Sequence, residues 1–294
     1  MKPAPQYIYA HSQPIPWLRM LWWSIPALAT VPLNMLWMKF NPGKQPWLPM
    51  TFHKFANYVV GTTARYHGTP NDGTTLFVSN HFSWADIPIL GQKLRARFVA
   101  KADIGDGGAL AFFCAQQRTL YVDRDDRRGS KEQANMLVDA LQAGDSVILF
   151  PEATTNDGRR ARPFKSSLFA GLTDGRLPGV KVQPISIAFT RVRSMPIKRS
   201  LWPFLCWLGD YSIGESVRDW LRLRHVHAEV VFHEPVDPED FPDRKALTRY
   251  CYETVHRGYR RAMREYVHPK IEADSAAETE TPARDDKKAL DDRA

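Results

Sequence analysis

The stretch Leu76-Phe77-Val78-Ser79-Asn80-His81-Phe82-Ser83-Trp84-Ala85-Asp86-Ile87-Pro88 reads as a strand, a turn and the start of a helix. Leu76 to Val78 is a short apolar run of the kind that forms a buried strand, and it ends in Ser79-Asn80. Pro88 disfavours helix at Ile87 yet suits a first helical turn, so a helix is expected to begin between Asp86 and Pro88. Five residues separate His81 from Asp86, which is about 140° around a helix and opposite faces of a strand, so the two meet only if the chain turns between them. A carboxylate against one imidazole nitrogen fixes the tautomer and leaves the other nitrogen free to take a proton from a hydroxyl. By itself such a pair is common, and the rest of the chain must decide whether it is catalytic.

The same alternation continues outward. Arg97 to Ala100, Thr119 to Val122, Ser146 to Phe150, Val182 to Phe189 and Ala228 to His233 read as strands. Ser130 to Ala143 is the clearest helix between them, with Ser130 as cap, Gln133 three residues later, Met136, Leu137, Ala140 and Leu141 on one face, and Gly144 as terminator. Arg244 to Tyr266 is a long amphipathic helix with Leu247, Cys251, Val255, Tyr259, Met263 and Tyr266 on one side and arginines mostly elsewhere. The alternation predicts an α/β domain with a mostly parallel or mixed sheet flanked by helices, behind an N-terminal membrane-associated helical segment. Ligands of such sheets bind beyond the carboxyl ends of the strands, where His81, Arg124 and Glu152 fall.

That N-terminal segment, Trp17 to Met38, is long enough as a helix to cross about 30 Å of hydrocarbon. Arg19, Asn34, Pro26 and Pro32 are costly there, and Trp17, Trp22, Trp23 and Trp37 favour an interface, so a kinked or re-entrant anchor competes with a true crossing. Lys39, Lys44 and Lys54 follow, which places the domain on the cytoplasmic face of the inner membrane. The formal charge of the 294 residues is +8; Glu272 to Ala294 holds eight acids and four bases, a net of −4, so the body before it carries +12. Such a body suits an anionic membrane, and the aromatic placement favours lipid over nucleic acid. We therefore expect a membrane-associated segment over 1–50, a catalytic domain over 51–271 and a disordered charged tail over 272–294. The aromatic stretch Met195 to Gly214 is read either as core or as a second membrane contact.

Asp123-Arg124 ends one strand, and an arginine there can clamp phosphate or stand as a loop charge. Phe150-Pro151-Glu152-Ala153-Thr154 ends another, delivering Glu152 and Thr154 at its carboxyl end, and Arg159, Arg160, Arg162 and Lys165 form a basic run beyond. Gln183-Pro184-Ile185 sets a proline in a strand, which suggests an edge or bulge. Cys114, Cys206 and Cys251 are too dispersed for a zinc pattern, and His225 and His233 lie about 26 Å apart along a strand, so no metal is expected. No GxSxG elbow or GxxxxGK loop is present.

Taken in order, Asn80-His81-x4-Asp86, Tyr121-Val122-Asp123-Arg124, Phe150-Pro151-Glu152-x-Thr154 and Val182-Gln183-Pro184-Ile185 resemble the four blocks of the glycerolipid acyltransferases, the 1-acylglycerol-3-phosphate acyltransferase family. The resemblance implies an enzyme that moves a fatty acyl group from a thioester of CoA or acyl carrier protein to the hydroxyl of a lysolipid, without a further cofactor. It places His81 and Asp86 in the catalytic pair, Arg124 on an acceptor phosphate, and Glu152 with Asn80, Thr154 and Lys165 in the acceptor site. Ala153 stands where the family usually has glycine, Thr155 where many members have arginine, and Arg118 where the second block often begins with glycine. Lysophosphatidate is the first expectation for the acceptor. Thr154 to Gly158 and Pro163 to Ser167 also resemble relatives that acylate lyso-ornithine lipid, a phosphate-free alternative. A thioesterase or lipase, and a lipid-binding protein without chemistry, are the remaining readings.

Overall fold

A computed structural model describes residues 15–105, 107–122, 130–152, 162–206 and 212–267. Its strands are β1 (Thr62–His67), β2 (Thr75–Ser79), β3 (Arg97–Lys101), β4 (Leu120–Val122), β5 (Val147–Leu149), β6 (Lys181–Val192), β7 (Met195–Pro196) and β8 (Val226–Phe232). The helices are α1 (Trp17–Phe40), α2 (Leu48–Val60), α3 (Asp86–Gly91), α4 (Gly108–Gln116), α5 (Ser130–Gln142), α6 (Trp202–Leu205), α7 (Ile213–Leu223) and α8 (Arg244–Val267).

The strands form one mixed sheet in the order β1-β8-β6-β2-β5-β3-β4, with β7 paired to β6. β6 and β8 run antiparallel, and every other neighbouring pair along that order is parallel. Each face has its own core. Leu76 and Val78 of β2, with Val147, Leu149 and Val182, pack against Leu137, Val138 and Leu141 of α5 and Leu247, Cys251 and Val255 of α8. Phe77, Ile148, Ile185 and Val230 pack on the other face with Val60 of α2, Ile89 and Leu90 of α3, and Trp220 of α7. Both faces being covered is why Leu76 to Val78 is continuously apolar.

The six expected strands are all present, with ends displaced by up to three residues. β1 was not anticipated, because Thr-Thr-Ala-Arg-Tyr-His pairs only with β8 at the sheet's edge and leaves Thr63 and Arg65 exposed. Pro184 lies in a central strand and not at an edge, but at a bulge in the pairing with β8, since Val182 pairs with Val236 and Ile185 with Phe232; the edge alternative is corrected and the bulge is present. The Pro184 carbonyl accepts from the His233 N–H at 3.0 Å, and the return bond it cannot make is supplied by Gln183, whose Nε2 donates to the His233 carbonyl at 2.8 Å. The aromatic stretch after Met195 divides: Ile197, Phe204 and Leu205 are buried in the core of Trp220, while Trp207 and Leu208 fall outside the described residues.

α1 and α2 pack as a hairpin, and the expected boundary at residue 50 falls inside α2. Trp23 stacks on Phe55 and meets Tyr58 at a tilt, and Ala27, Thr30 and Asn34 continue that inner stripe at helical spacing. Arg19 also turns inward, donating to the carbonyls of Val59, at 3.2 Å, and of Arg224. Gly61 ends α2 at φ 74°, and a Cβ there would meet the Arg224 carbonyl at 2.1 Å, so glycine is required. No helix among the described residues is long and apolar enough to cross a membrane. The crossing reading of Trp17 to Met38 is therefore set aside: one face of α1 is spent on protein, and Arg19 and Asn34 bond to it.

Candidate active site

β2 and β5 are parallel neighbours, so Ser79 and Leu149 bring their following residues to the same rim of the sheet. The chain leaves β2 through Asn80, which is fully buried. Its Nδ2 donates to the Ile187 carbonyl and its Oδ1 accepts from the Ile187 N–H, both at 2.9 Å, clipping the turn to β6. Asn80 thus spends its amide on backbone.

Beyond it the chain folds around one carboxylate oxygen. Asp86 Oδ2 accepts from the backbone N–H of Phe82 at 2.7 Å, the N–H of Ser83 at 2.8 Å and His81 Nδ1–H at 2.9 Å. This closed turn is what the five-residue spacing required. It puts Asp86 in the first turn of α3, where a negative charge meets the positive end of the helix. The Asp86 side chain is 0% exposed and its Oδ1 has no hydrogen-bond partner among the described residues, while the His81 side chain is 12% exposed. With Nδ1–H committed to Asp86, Nε2 carries the lone pair, and the buried carboxylate stabilises the positive charge the ring gains on taking a proton.

β5 supplies the other wall. Phe150 stacks on the His81 ring at 4.2 Å between centroids and 18° between planes. Glu152, 4% exposed, accepts from the His81 N–H through Oε1 at 3.3 Å. The Lys165 N–H donates to the Pro151 carbonyl at 2.9 Å, bringing the exposed Lys165 beside the same strand end. His81, Asp86, Asn80, Glu152 and Lys165 are therefore gathered at one rim, whereas Arg124 and Thr154 lie outside the described residues. Sequence reasoning missed the stacking of Phe150 on His81, although the apolar residue before Pro151 was its only available signal. It also left Arg118 unexplained: φ is 56°, a backbone glycine adopts freely, and here the arginine side chain bonds Asp145 at 3.2 Å and the Gly43 carbonyl.

The contact between Ser186 and His233 is structural. Ser186 Oγ donates to the Val255 carbonyl and lies 2.8 Å from His233 Nε2, so its one proton fastens α8 to the sheet. Burial pushes the His233 imidazole down to about 4. Among the described residues no group of three or more His, Cys, Asp or Glu could hold a metal, and His227 bonds the Thr63 hydroxyl at 2.8 Å.

The acyltransferase family model matches residues 63–188, from β1 into β6. A lyso-ornithine lipid O-acyltransferase of Brucella abortus (strain 2308) is 36% identical over 228 residues, 76% of this chain and 85% of that protein. Another from Rhizobium meliloti (strain 1021) is 32% identical over 236 residues, 78% of this chain and 80% of that protein. A 1-acyl-sn-glycerol-3-phosphate acyltransferase of Neisseria gonorrhoeae is 32% identical over 130 residues, 44% of this chain and 48% of that protein. The crystal structure of PlsC from Thermotoga maritima, the 1-acyl-sn-glycerophosphate acyltransferase, superposes with a TM-score of 0.51 at 24% identity, covering 72% of this chain and 77% of that one, and shares its fold. With the His81–Asp86 turn set inside the matched region, the chain belongs to the acyltransferase family, alongside lysolipid O-acyltransferases.

Proposed function

We propose that this acyltransferase transfers a fatty acyl group from a thioester of CoA or acyl carrier protein to the free hydroxyl of lyso-ornithine lipid. The observation that carries this reading is the 36% identity extending over 85% of the Brucella lyso-ornithine lipid O-acyltransferase, against a match spanning under half of the glycerophosphate enzyme. The order of the two acceptors is thus the reverse of the sequence expectation, which rested on the family's commonest substrate. Thr155, in place of an arginine, points the same way.

His81 Nε2 takes the proton of the acceptor hydroxyl as its oxygen attacks the thioester carbonyl. The tetrahedral intermediate collapses, the carbon–sulfur bond breaks, and the imidazolium returns its proton to the leaving thiolate. Asp86 holds the ring and offsets its transient charge, Asn80 and Glu152 fix the turn, and Phe150 keeps the ring's plane. Lys165 and Thr154 are assigned to the head group, whereas Arg124, expected on an acceptor phosphate, meets no phosphate in lyso-ornithine lipid.

The outer face of the α1–α2 hairpin rests in a lipid interface on the cytoplasmic side. Leu18 at 85% exposure and Trp22 at 71%, with Trp17, Leu21 and Ile25, leave an apolar face that no described residue covers, and the +12 body favours anionic lipid. The test is an acceptor panel of lyso-ornithine lipid, lysophosphatidate and lysophosphatidylethanolamine with one acyl thioester. Highest kcat/KM with lyso-ornithine lipid is expected. Preference for lysophosphatidate would overturn the acceptor assignment, and rapid thiol release without any acceptor would replace transfer by hydrolysis.

A further inference from the structure

Helix α3 carries Asp86 at its first position and is six residues long, too short to hold itself together in water. Its far end is seated on residues outside the turn. Asn57 of α2, buried, donates through Nδ2 to the Pro88 carbonyl at 2.8 Å, and the Tyr66 hydroxyl of β1 donates to the Ile89 carbonyl at 2.7 Å. One turn before Asn57, the His53 ring lies over Gly91 so closely that a Cβ at Gly91 would come within 2.3 Å of it. His53 is anchored in turn by Gln117 Oε1, 2.8 Å from its Nε2. His53 and Asn57 thus form one stripe of α2 facing α3.

The two members of the dyad are therefore held by different sets of partners, and the hairpin reaches only the Asp86 side. His81 is held to the sheet, through Asn80, which bonds Ile187 of β6, and through Glu152 beyond β5. The helix that begins with Asp86 is held by the hairpin, through Asn57 and His53, and by β1 through Tyr66. We infer that Asn57 is a positioning residue for the dyad, through which α2 fixes the helix of Asp86 against the sheet-borne His81. A displaced hairpin then moves the carboxylate relative to the imidazole. The inference rests on the catalytic reading of His81 given above.

Asn57→Leu keeps the volume and removes the donor. Its kcat should fall about 10- to 100-fold, the effect of a small misplacement far from the chemistry, with KM for acceptor and thioester unchanged. The downfield Nδ1–H proton resonance of His81, identified by its loss in His81→Ala, should shift or broaden in Asn57→Leu and recover in part in Asn57→Gln, which keeps an amide donor. Gly91→Ala disturbs the same seat from its other side and should show the same split, deciding the matter if Asn57→Leu does not fold. Leu172→Ala, buried in the opposite core, controls for lost stability and should keep kcat at a comparable drop in Tm. Wild-type kcat with an unshifted resonance in Asn57→Leu and Gly91→Ala, or an equal loss of kcat in Leu172→Ala, overturns the proposal. Wild-type activity in His81→Ala would instead remove the catalytic reading beneath it.

Discussion

In the turn from Asn80 to Asp86, three donors converge on one carboxylate oxygen and a buried amide closes on the Ile187 backbone, so directional bonds inside the protein set its geometry. The outer face of the α1–α2 hairpin is the opposite: Trp17, Leu18, Leu21, Trp22 and Ile25 are large, apolar and exposed. Directional bonds in a dry setting fix atoms to fractions of an ångström, which proton transfer needs. Apolar area is non-directional and tolerates sliding, which suits contact with a fluid surface. One region supplies geometry and the other supplies attachment, and helix α2 joins them.

The strongest way to break this division is to remove the base. His81→Ala should lower kcat/KM by about 10²- to 10⁴-fold while leaving vesicle sedimentation unchanged. If transferase activity survives, or membrane binding falls with it, the two regions do not have separate tasks.

Acid should attack the joint between them. Burial pushes His53, on α2, down to about 4, and His233 likewise. Each is neutral when folded and protonated below about 6.5 when unfolded, so the unfolded chain binds more protons between these values and stability falls as pH drops from about 6.5 to 4. Each group accounts for up to about 3 kcal/mol over that window. Urea unfolding at pH 7 and pH 4.5 measures the loss, and His53→Gln should flatten its share; an unchanged slope in that variant would mean the ring is not shielded as the fold implies.

The hairpin face is tested by Trp22→Ser, at a side chain that is 71% exposed. Losing one large apolar side chain from a lipid interface costs about 1.5–3 kcal/mol, or about 10- to 100-fold in vesicle partitioning. kcat on a short-chain soluble acceptor should stay at its wild-type value. Equal partitioning would show that another surface makes the attachment.

The smallest effect is expected at Arg124. With lyso-ornithine lipid as acceptor, Arg124→Ala should change kcat/KM by no more than about 0.5 kcal/mol, the range of an ordinary surface substitution. A loss of about 1.5–3 kcal/mol, the worth of a charged hydrogen bond, would return an anionic phosphate to the acceptor.

What could be read along the chain was whatever is decided within a few residues. The apolar runs of β2, β5, β6 and β8, the amphipathic stripe of α8, and the turn forced between His81 and Asp86 all have their causes nearby in sequence, and the structure has the two side chains in contact. β1 escaped because its pattern is polar, and its pairing with β8 joins residues such as Thr62 and Val226 that no local signal connects. Asn80 and Glu152 were placed in the acceptor site by the resemblance, and their bonds within the fold had no local signal. Their partners lie 107 and 71 positions away, at Ile187 and at His81.

By itself, then, the sequence determined the α/β alternation, the order of its four blocks, the need for a turn that joins imidazole to carboxylate, and an aromatic N-terminal segment with a basic body behind it. Only the tertiary structure decided that the sheet is mixed, that Pro184 sits in a central strand with Gln183 completing its ladder, that one face of α1 is spent on protein, and that Asp86 stands on a helix seated against Asn57. The physical reason is range. Backbone propensity and periodicity act over a few residues, whereas the bonds that place one element against another satisfy buried donors and acceptors brought together only when distant segments pack.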